Sequence, residues 1–308
     1  MSVATCAEMM PALRDNFILP ISDYDLDSTL GCGQAFGWER DADGWTGAIK
    51  GRWVRLTSVC GGIKVQLAQT VRDLSWVTDC LQTNVNIREI IATFPKNDEQ
   101  LRGAVKTCVG LRLVRQDPWE CLASFILSST KQIVQIRQIV CTLSERHGSS
   151  VIVPSGEKAR FAFPTASQLA MLSEVDLRAC RMGFRAPYLL AAARRTVSGE
   201  INLSAIGRME LSLAREELMK LDGVGEKIAD CVLLFAYDFP TAFPVDVWVR
   251  RVLTQFYFHG RKVNNHRLRC FIEKHFGLNA GYAQQYLFHH VRMTSGKNLS
   301  ATGLAPIS

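Results

Sequence analysis

Lys227 and Asp246, nineteen residues apart, are the pair in this chain whose surroundings suit covalent chemistry. The run Leu221-Asp222-Gly223-Val224-Gly225-Glu226-Lys227-Ile228-Ala229-Asp230-Cys231 holds two glycines separated by one residue. Glycines permit positive φ and close backbone approach, so this spacing predicts a hairpin between helices. From Gly225 onward Ile228, Cys231, Val232, Leu234 and Phe235 follow a helical period, which places Lys227 in the first turn of the second helix. The positive end of a helix dipole weakly opposes an ammonium, and a neutral lysine amine is a nucleophile. Phe243-Pro244-Val245 reads as extended chain, and Asp246 then stands at an N-cap ahead of Val247, Val249, Val252, Leu253 and Phe256. Backbone N–H groups around Gly223, Val224 and Gly225 offer a sequence-independent seat for a phosphate. The plainer alternative is a surface lysine and a capping aspartate with no shared task.

The elements that must position this pair divide in two. Residues 1–110 carry short alternating runs, Ala35–Arg40, Trp45–Lys50, Arg52–Thr57 and Ile63–Ala68, separated by Asp41-Ala42-Asp43-Gly44, Lys50-Gly51 and Cys60-Gly61-Gly62. Such spacing predicts an antiparallel meander. Leu74–Leu81, Asn86–Phe94 and Asn97–Cys108 read as short helices that cover one face of it. From residue 111 to 308 the period becomes helical. Asp117-Pro118-Trp119-Glu120 carries an N-cap, a proline at the first helical position and an acid at the third. Further helices are expected at 133–145, 166–171, 174–181, 186–198, 204–218, 247–256, 265–276 and 281–292, with the helix-hairpin-helix at about 206–246. The fold class is therefore α+β, a β-rich domain followed by an all-helical one.

Net charge follows the same division. Residues 1–110 hold 11 Lys and Arg against 13 Asp and Glu, and the remainder holds 25 against 16. All the positive excess lies with the hairpin, as a polyanion partner would require, although a solvated basic surface gives the same count. Arg250, Arg251, Arg261 and Lys262 fit either account. The ten cysteines are dispersed without a Cys-x-x-Cys pair, which argues against zinc and against an iron–sulfur loop and fits a reducing compartment. No signal segment and no apolar stretch of membrane-spanning length is present, so an intracellular protein without a membrane partner is expected.

The hairpin, Lys227, Cys231 one turn beyond it and Pro244-Val245-Asp246 resemble the signature of the 8-oxoguanine DNA glycosylase family of the helix-hairpin-helix superfamily. The resemblance extends over Gly33-Gln34-Ala35-Phe36, Arg115-Gln116-Asp117-Pro118, Phe184-Arg185-Ala186 with Tyr188, and Gly281-Tyr282-Ala283-Gln284 with Phe288. It implies a TATA-binding-protein-like antiparallel sheet domain packed on two helical subdomains with a cleft between them. It also implies double-stranded DNA containing 8-oxoguanine as partner, and no metal or other cofactor. By the same resemblance Lys227 attacks the deoxyribose C1′ and forms a Schiff base, and Asp246 stabilises positive charge developing on the sugar. Cys231 and Phe288 sandwich the flipped base, Gln284 holds its Watson–Crick edge, and the Gly33 carbonyl accepts from the N7–H that distinguishes the lesion from guanine. Taken singly, Gly33 reads as a turn before a strand, and Cys231 and Phe288 as core.

Four positions depart from the family. Thr130 stands where an asparagine enters the space left by the extruded base, and Gln135 where an arginine reads the orphaned cytosine. Arg185 keeps the second cytosine-reading arginine, Phe184 replaces a tyrosine wedge, and Trp248 replaces a phosphate-contacting histidine. These changes predict a looser preference for the opposite base and leave the contact at Trp248 open. Two rival readings are a monofunctional glycosylase for another base, which would lack the lysine, and a noncatalytic DNA-binding hairpin. A monomer is expected, in the nucleus of a eukaryote or the cytoplasm of a bacterium.

Overall fold

The computed structural model describes residues 15–128 and 132–295. The chain enters through β1 (Asn16–Pro20) and α1 (Leu26–Gly31), then runs through β2 (Glu39–Arg40), β3 (Trp45–Ile49), β4 (Arg52–Val59) and β5 (Gly62–Leu67). The strands form one antiparallel sheet in the order β1-β5-β4-β3-β2. Leu56, Ile63 and Val65 alternate with exposed or half-exposed neighbours, the period of two that made β4 and β5 legible, whereas β3 and the start of β4 are buried on both faces, through Thr46 and Trp53 as well as Trp45 and Val54.

Three short helices follow, α2 (Ser75–Leu81), α3 (Ile87–Ala92) and α4 (Glu99–Thr107). Only α2 packs on the sheet as expected, through Trp76, Val77, Cys80 and Leu81. Ile87 of α3 and Leu101 and Ala104 of α4 instead join the helical core. The face over the sheet is shared with α1, whose Leu26 and Leu30 are buried there.

The helical part comprises α5 (Pro118–Leu127), α6 (Ile133–His147), a two-residue hairpin of β6 (Ser150–Val151) and β7 (Arg160–Phe161), α7 (Ala166–Ala170) and α8 (Glu174–Arg178). A 3-10 turn over Gly183–Arg185 leads into α9 (Ala186–Val197), α10 (Leu203–Ile206), α11 (Leu211–Met219), α12 (Glu226–Tyr237), α13 (Val247–Val252), α14 (Asn265–Phe276) and α15 (Ala280–Ser295). Asp117 caps α5 as expected, accepting from the N–H groups of Trp119 (2.9 Å) and Glu120 (3.0 Å). The single helix expected over 204–218 is two, because Gly207 ends α10 and Glu210 takes an extended conformation before α11. The helix expected over 247–256 is likewise shorter, with α13 passing into a π turn at Leu253–Tyr257. Among the described residues no helix is long and apolar enough to cross a membrane.

That π turn is tied down by Asp98. Its carboxylate is almost fully buried, caps α4 through the Leu101 N–H (2.8 Å), accepts from the Tyr257 hydroxyl (2.8 Å) and lies 2.8 Å from His275 Nε2. Burial and the Asp98 charge hold the proton on Tyr257 well above the usual tyrosine range. One carboxylate thus joins α4, α14 and the turn that ends the helix begun by Asp246. Asp98→Ala removes a cap worth about 1 kcal/mol and leaves buried partners unsatisfied at about 1–3 kcal/mol. We expect a loss of about 2–4 kcal/mol in denaturant unfolding, and a loss below about 0.5 kcal/mol would contradict this role.

Candidate active site

The hairpin turn before α12 forms as its glycines require. Gly223 has φ +78, and a Cβ there would lie 2.8 Å from the Tyr188 ring, so Tyr188 packs against the turn where only glycine fits. Val224 needs correction as a phosphate donor: its N–H donates to the Leu221 carbonyl (3.0 Å) and its side chain is buried. That leaves Gly223 and Gly225, both exposed, to present N–H groups.

Lys227 lies in the first turn of α12 and is half-buried. Its Nζ donates to Ser128 Oγ at 3.0 Å and sits 5.2 Å from the centre of the Phe125 ring. Ser128 is the C-cap of α5. The amine therefore lies between two helix ends, the start of α12 and the end of α5. The sequence disclosed only the first.

Asp246 caps α13 as expected, its Oδ1 accepting from the Val249 N–H at 2.7 Å. Burial pushes its carboxyl above the usual aspartate range; the Val249 N–H, the Lys227 ammonium, the Trp248 N–H and the Arg292 guanidinium oppose that rise. Burial also pushes the Cys231 thiol up to about 12, with Lys227 opposing and Asp230 and Asp246 reinforcing. Cys231 is accordingly a neutral thiol. Lys227 and Cys231, one turn apart on α12, thus lie within electrostatic reach of Asp246, which caps a different helix.

Gln284 and Phe288 are one helical turn apart on α15 and share a face. Gln284 is 4% exposed, and its Oε1 has no hydrogen-bond partner among the described residues. Such an orphaned acceptor costs about 1–3 kcal/mol unless a ligand supplies a donor. Arg292, one further turn along, places its guanidinium carbon 5.5 Å from the Phe288 ring centre and donates from Nη1 to the Cys32 carbonyl at 2.9 Å. It ties the face carrying Gln284 and Phe288 to the segment carrying Gly33. Gly33 has φ +91, and a Cβ there would fall 2.2 Å from Ile133 Cδ1.

The segment is fixed on its other side by Gln34, which has no solvent exposure. Its Nε2 donates to the Thr29 and Arg112 carbonyls, each at 2.7 Å, and its Oε1 accepts from the Val114 N–H at 3.0 Å.

The DNA-contacting candidates are more scattered. Phe184 is 58% exposed on the 3-10 turn, whereas Arg185 is 3% exposed with its guanidinium carbon 4.2 Å from the Phe184 ring centre. Trp248 is half-buried under Arg251, whose guanidinium carbon is 5.8 Å from its ring. Thr130 lies outside the described residues. Gln135 accepts from the Gln132 N–H at 3.0 Å, so its amide caps α6. A cavity of about 110 Å³ opens beside Lys227, lined by Glu226, Asp230, Arg215 and Arg269 together with the apolar Phe243 and Leu268. Ser128, Ile133 and Arg292 were missed in the sequence. Arg292 alone had a usable signal, its place eight residues beyond Gln284.

Residues 16–122 match the family described as 8-oxoguanine DNA glycosylase, N-terminal domain, and residues 123–274 match HhH-GPD superfamily base excision DNA repair proteins. The probable N-glycosylase/DNA lyase of Methanothermobacter thermautotrophicus is 33% identical over 215 residues, covering 63% of this chain and 68% of that protein. The N-glycosylase/DNA lyase OGG1 of Arabidopsis thaliana is 28% identical over 297 residues, covering 87% and 77%. Among solved structures, the Clostridium acetobutylicum 8-oxoguanine glycosylase/lyase, in complex with double-stranded DNA containing cytosine opposite 8-oxoG, superposes with a TM-score of 0.86 at 31% identity. That match covers 94% of this chain and 99% of the other. Two consecutive family matches spanning residues 16–274, together with these relatives, place the chain in the 8-oxoguanine DNA glycosylase family of the HhH-GPD superfamily.

Proposed function

We propose that this protein excises 8-oxoguanine from duplex DNA and then cleaves the strand, with Lys227 as nucleophile and Asp246 as its acidic partner. The observation that carries this reading is the half-buried Lys227 amine, held 3.0 Å from Ser128 Oγ over the Phe125 ring on the first turn of α12, with the Asp246 carboxyl at the start of α13 near enough to feel its charge. A glycosylase must first extrude its nucleotide, because C1′ is unreachable inside the stack. Phe184, exposed at the turn before α9, is placed to wedge into the duplex, and the Gly223 and Gly225 N–H groups to hold a phosphate.

In the extruded state the Gly33 carbonyl accepts from N7–H of the lesion, where guanine would present a lone pair. Gln284 Oε1 takes its missing donor from the Watson–Crick edge, and Cys231 and Phe288 enclose the ring faces. The neutral Lys227 amine attacks C1′ and the C1′–N9 bond breaks, its electron pair leaving with the base. Asp246 stabilises the positive charge on the sugar and accepts the proton lost by nitrogen. Ring opening gives a Schiff base. Loss of a C2′ proton then expels the 3′ phosphate, and water releases the lysine.

Lys227→Gln should abolish both excision and the borohydride-trapped adduct on 8-oxoguanine duplex, and persistence of the adduct would remove the lysine from its role. Asp246→Asn should keep DNA affinity while slowing single-turnover excision by ~10²–10⁴. The wild-type acid limb should lie above the usual aspartate range. Because burial raises the folded-state pKa, the ionised carboxylate costs stability above that pKa, and the cost vanishes below the unfolded value. Asparagine caps equally well, so Asp246→Asn should unfold at a higher temperature than wild type at pH 7, with the gap closing toward about pH 4. Gln135 is engaged as a cap and Arg185 lies beneath Phe184, so one lost bidentate contact, ~1–3 kcal/mol, should relax opposite-base choice. Excision rates opposite C, A, G and T should agree within about tenfold; a collapse of more than about 150-fold outside cytosine would contradict it.

A further inference from the structure

Arg292 meets three parts of the site at once. It donates to the Cys32 carbonyl (2.9 Å), which belongs to the peptide entering Gly33. It faces the Phe288 ring at 5.5 Å. Its charge also acts on Asp246, against the rise that burial causes. A guanidinium has five N–H donors in a fixed fork, and one of them is used by the bond to Cys32. Partial burial works against its charge. An apolar side chain would fill the same space on α15 without that desolvation, so packing does not explain an arginine here. Geometry does: the planar fork spans the gap between α15 and the Gly33 segment, with Nη1 on the Cys32 carbonyl and the guanidinium beside the Phe288 ring.

Resting on the base-pocket reading above, we propose that Arg292 is a specificity-positioning residue. It holds the Cys32–Gly33 peptide against the Phe288 face, so that the Gly33 carbonyl stands where the N7–H of the lesion must arrive. Its contribution is made while the base is bound. Once the base has left, Lys227 and Asp246 act on the sugar, and Arg292 touches that step only as the weakest of the four influences that hold the Asp246 carboxyl down. A residue that served the fold alone would affect both stages equally.

The test compares Arg292→Met, Arg292→Lys and Gly33→Ala with wild type on two duplexes, one carrying 8-oxoguanine and one carrying a preformed abasic site. Binding to noncleavable 2′-fluoro duplexes containing 8-oxoguanine or guanine supplies the discrimination ratio. Arg292→Met should lower excision and the lesion-over-guanine binding ratio by at least about tenfold, with abasic-strand cleavage changed by less than about threefold. Arg292→Lys keeps the charge but loses the fork and should fall between. Equal losses on both duplexes, or an unchanged discrimination ratio, would overturn the proposal. The Gly33 variant separates the two levels of argument. If Gly33→Ala abolishes excision and Arg292→Met does not, the role of Arg292 fails and the pocket stands; if neither matters, the base-reading assignment fails with it.

Discussion

Packing of α5 against α12 decides where the Lys227 amine can go. Phe125 of α5 stacks on Phe235 of α12 with ring centres 5.7 Å apart and planes 16° from parallel, and the Gln116 N–H, just before α5, donates to the Phe235 carbonyl at 2.9 Å. With the far end of α12 held there, its first turn lies beside the last turn of α5. Lys227 reaches across this gap to Ser128 over the face of Phe125. The ring and the hydroxyl restrict a side chain that would otherwise sample many rotamers.

The site is built from groups that are costly to keep. Asp246 carries a carboxylate whose ionisation burial opposes, Gln284 Oε1 is buried without a partner among the described residues, and Arg292 is a partly desolvated cation. Each lowers stability, and in the proposed function a flipped nucleotide would supply what each lacks. The surrounding scaffold offsets these losses with the continuous apolar core of the helical part and with buried networks such as Gln34 with Thr29, Arg112 and Val114. The Asp98 cluster does the same at the far end of α13. The polar network at Gln34 also fixes the segment that carries Gly33, so in the proposed function stability and recognition share the same hydrogen bonds.

Features written in local spacing were legible from the sequence. Asp117-Pro118 and Asp246 announced caps, 265–276 announced its helix to the residue, and the alternation in β4 and β5 announced the sheet. The Lys227, Cys231 and Asp246 constellation was legible because a short turn and two helix starts confine it. Contacts across long sequence separations were not. Ser128 is 99 residues from Lys227 in the chain, and Cys32 is 260 from Arg292. The destination of α3 and α4 was hidden for the same reason: an amphipathic helix reveals its apolar face but not which core receives it. Gln135 is a different kind of miss. Its spacing from Gln132 is that of a capping pair, a local cue present in the sequence.

The account stands on one covalent event, the attack of the Lys227 nitrogen on the sugar carbon that releases the base. Peptide mapping by mass spectrometry of the protein reduced with cyanoborohydride during turnover of 8-oxoguanine duplex tests it most directly. The deoxyribose-derived mass should fall on Lys227. The same mass on any other amine, or a cleaved product with no adduct on the protein, would contradict it.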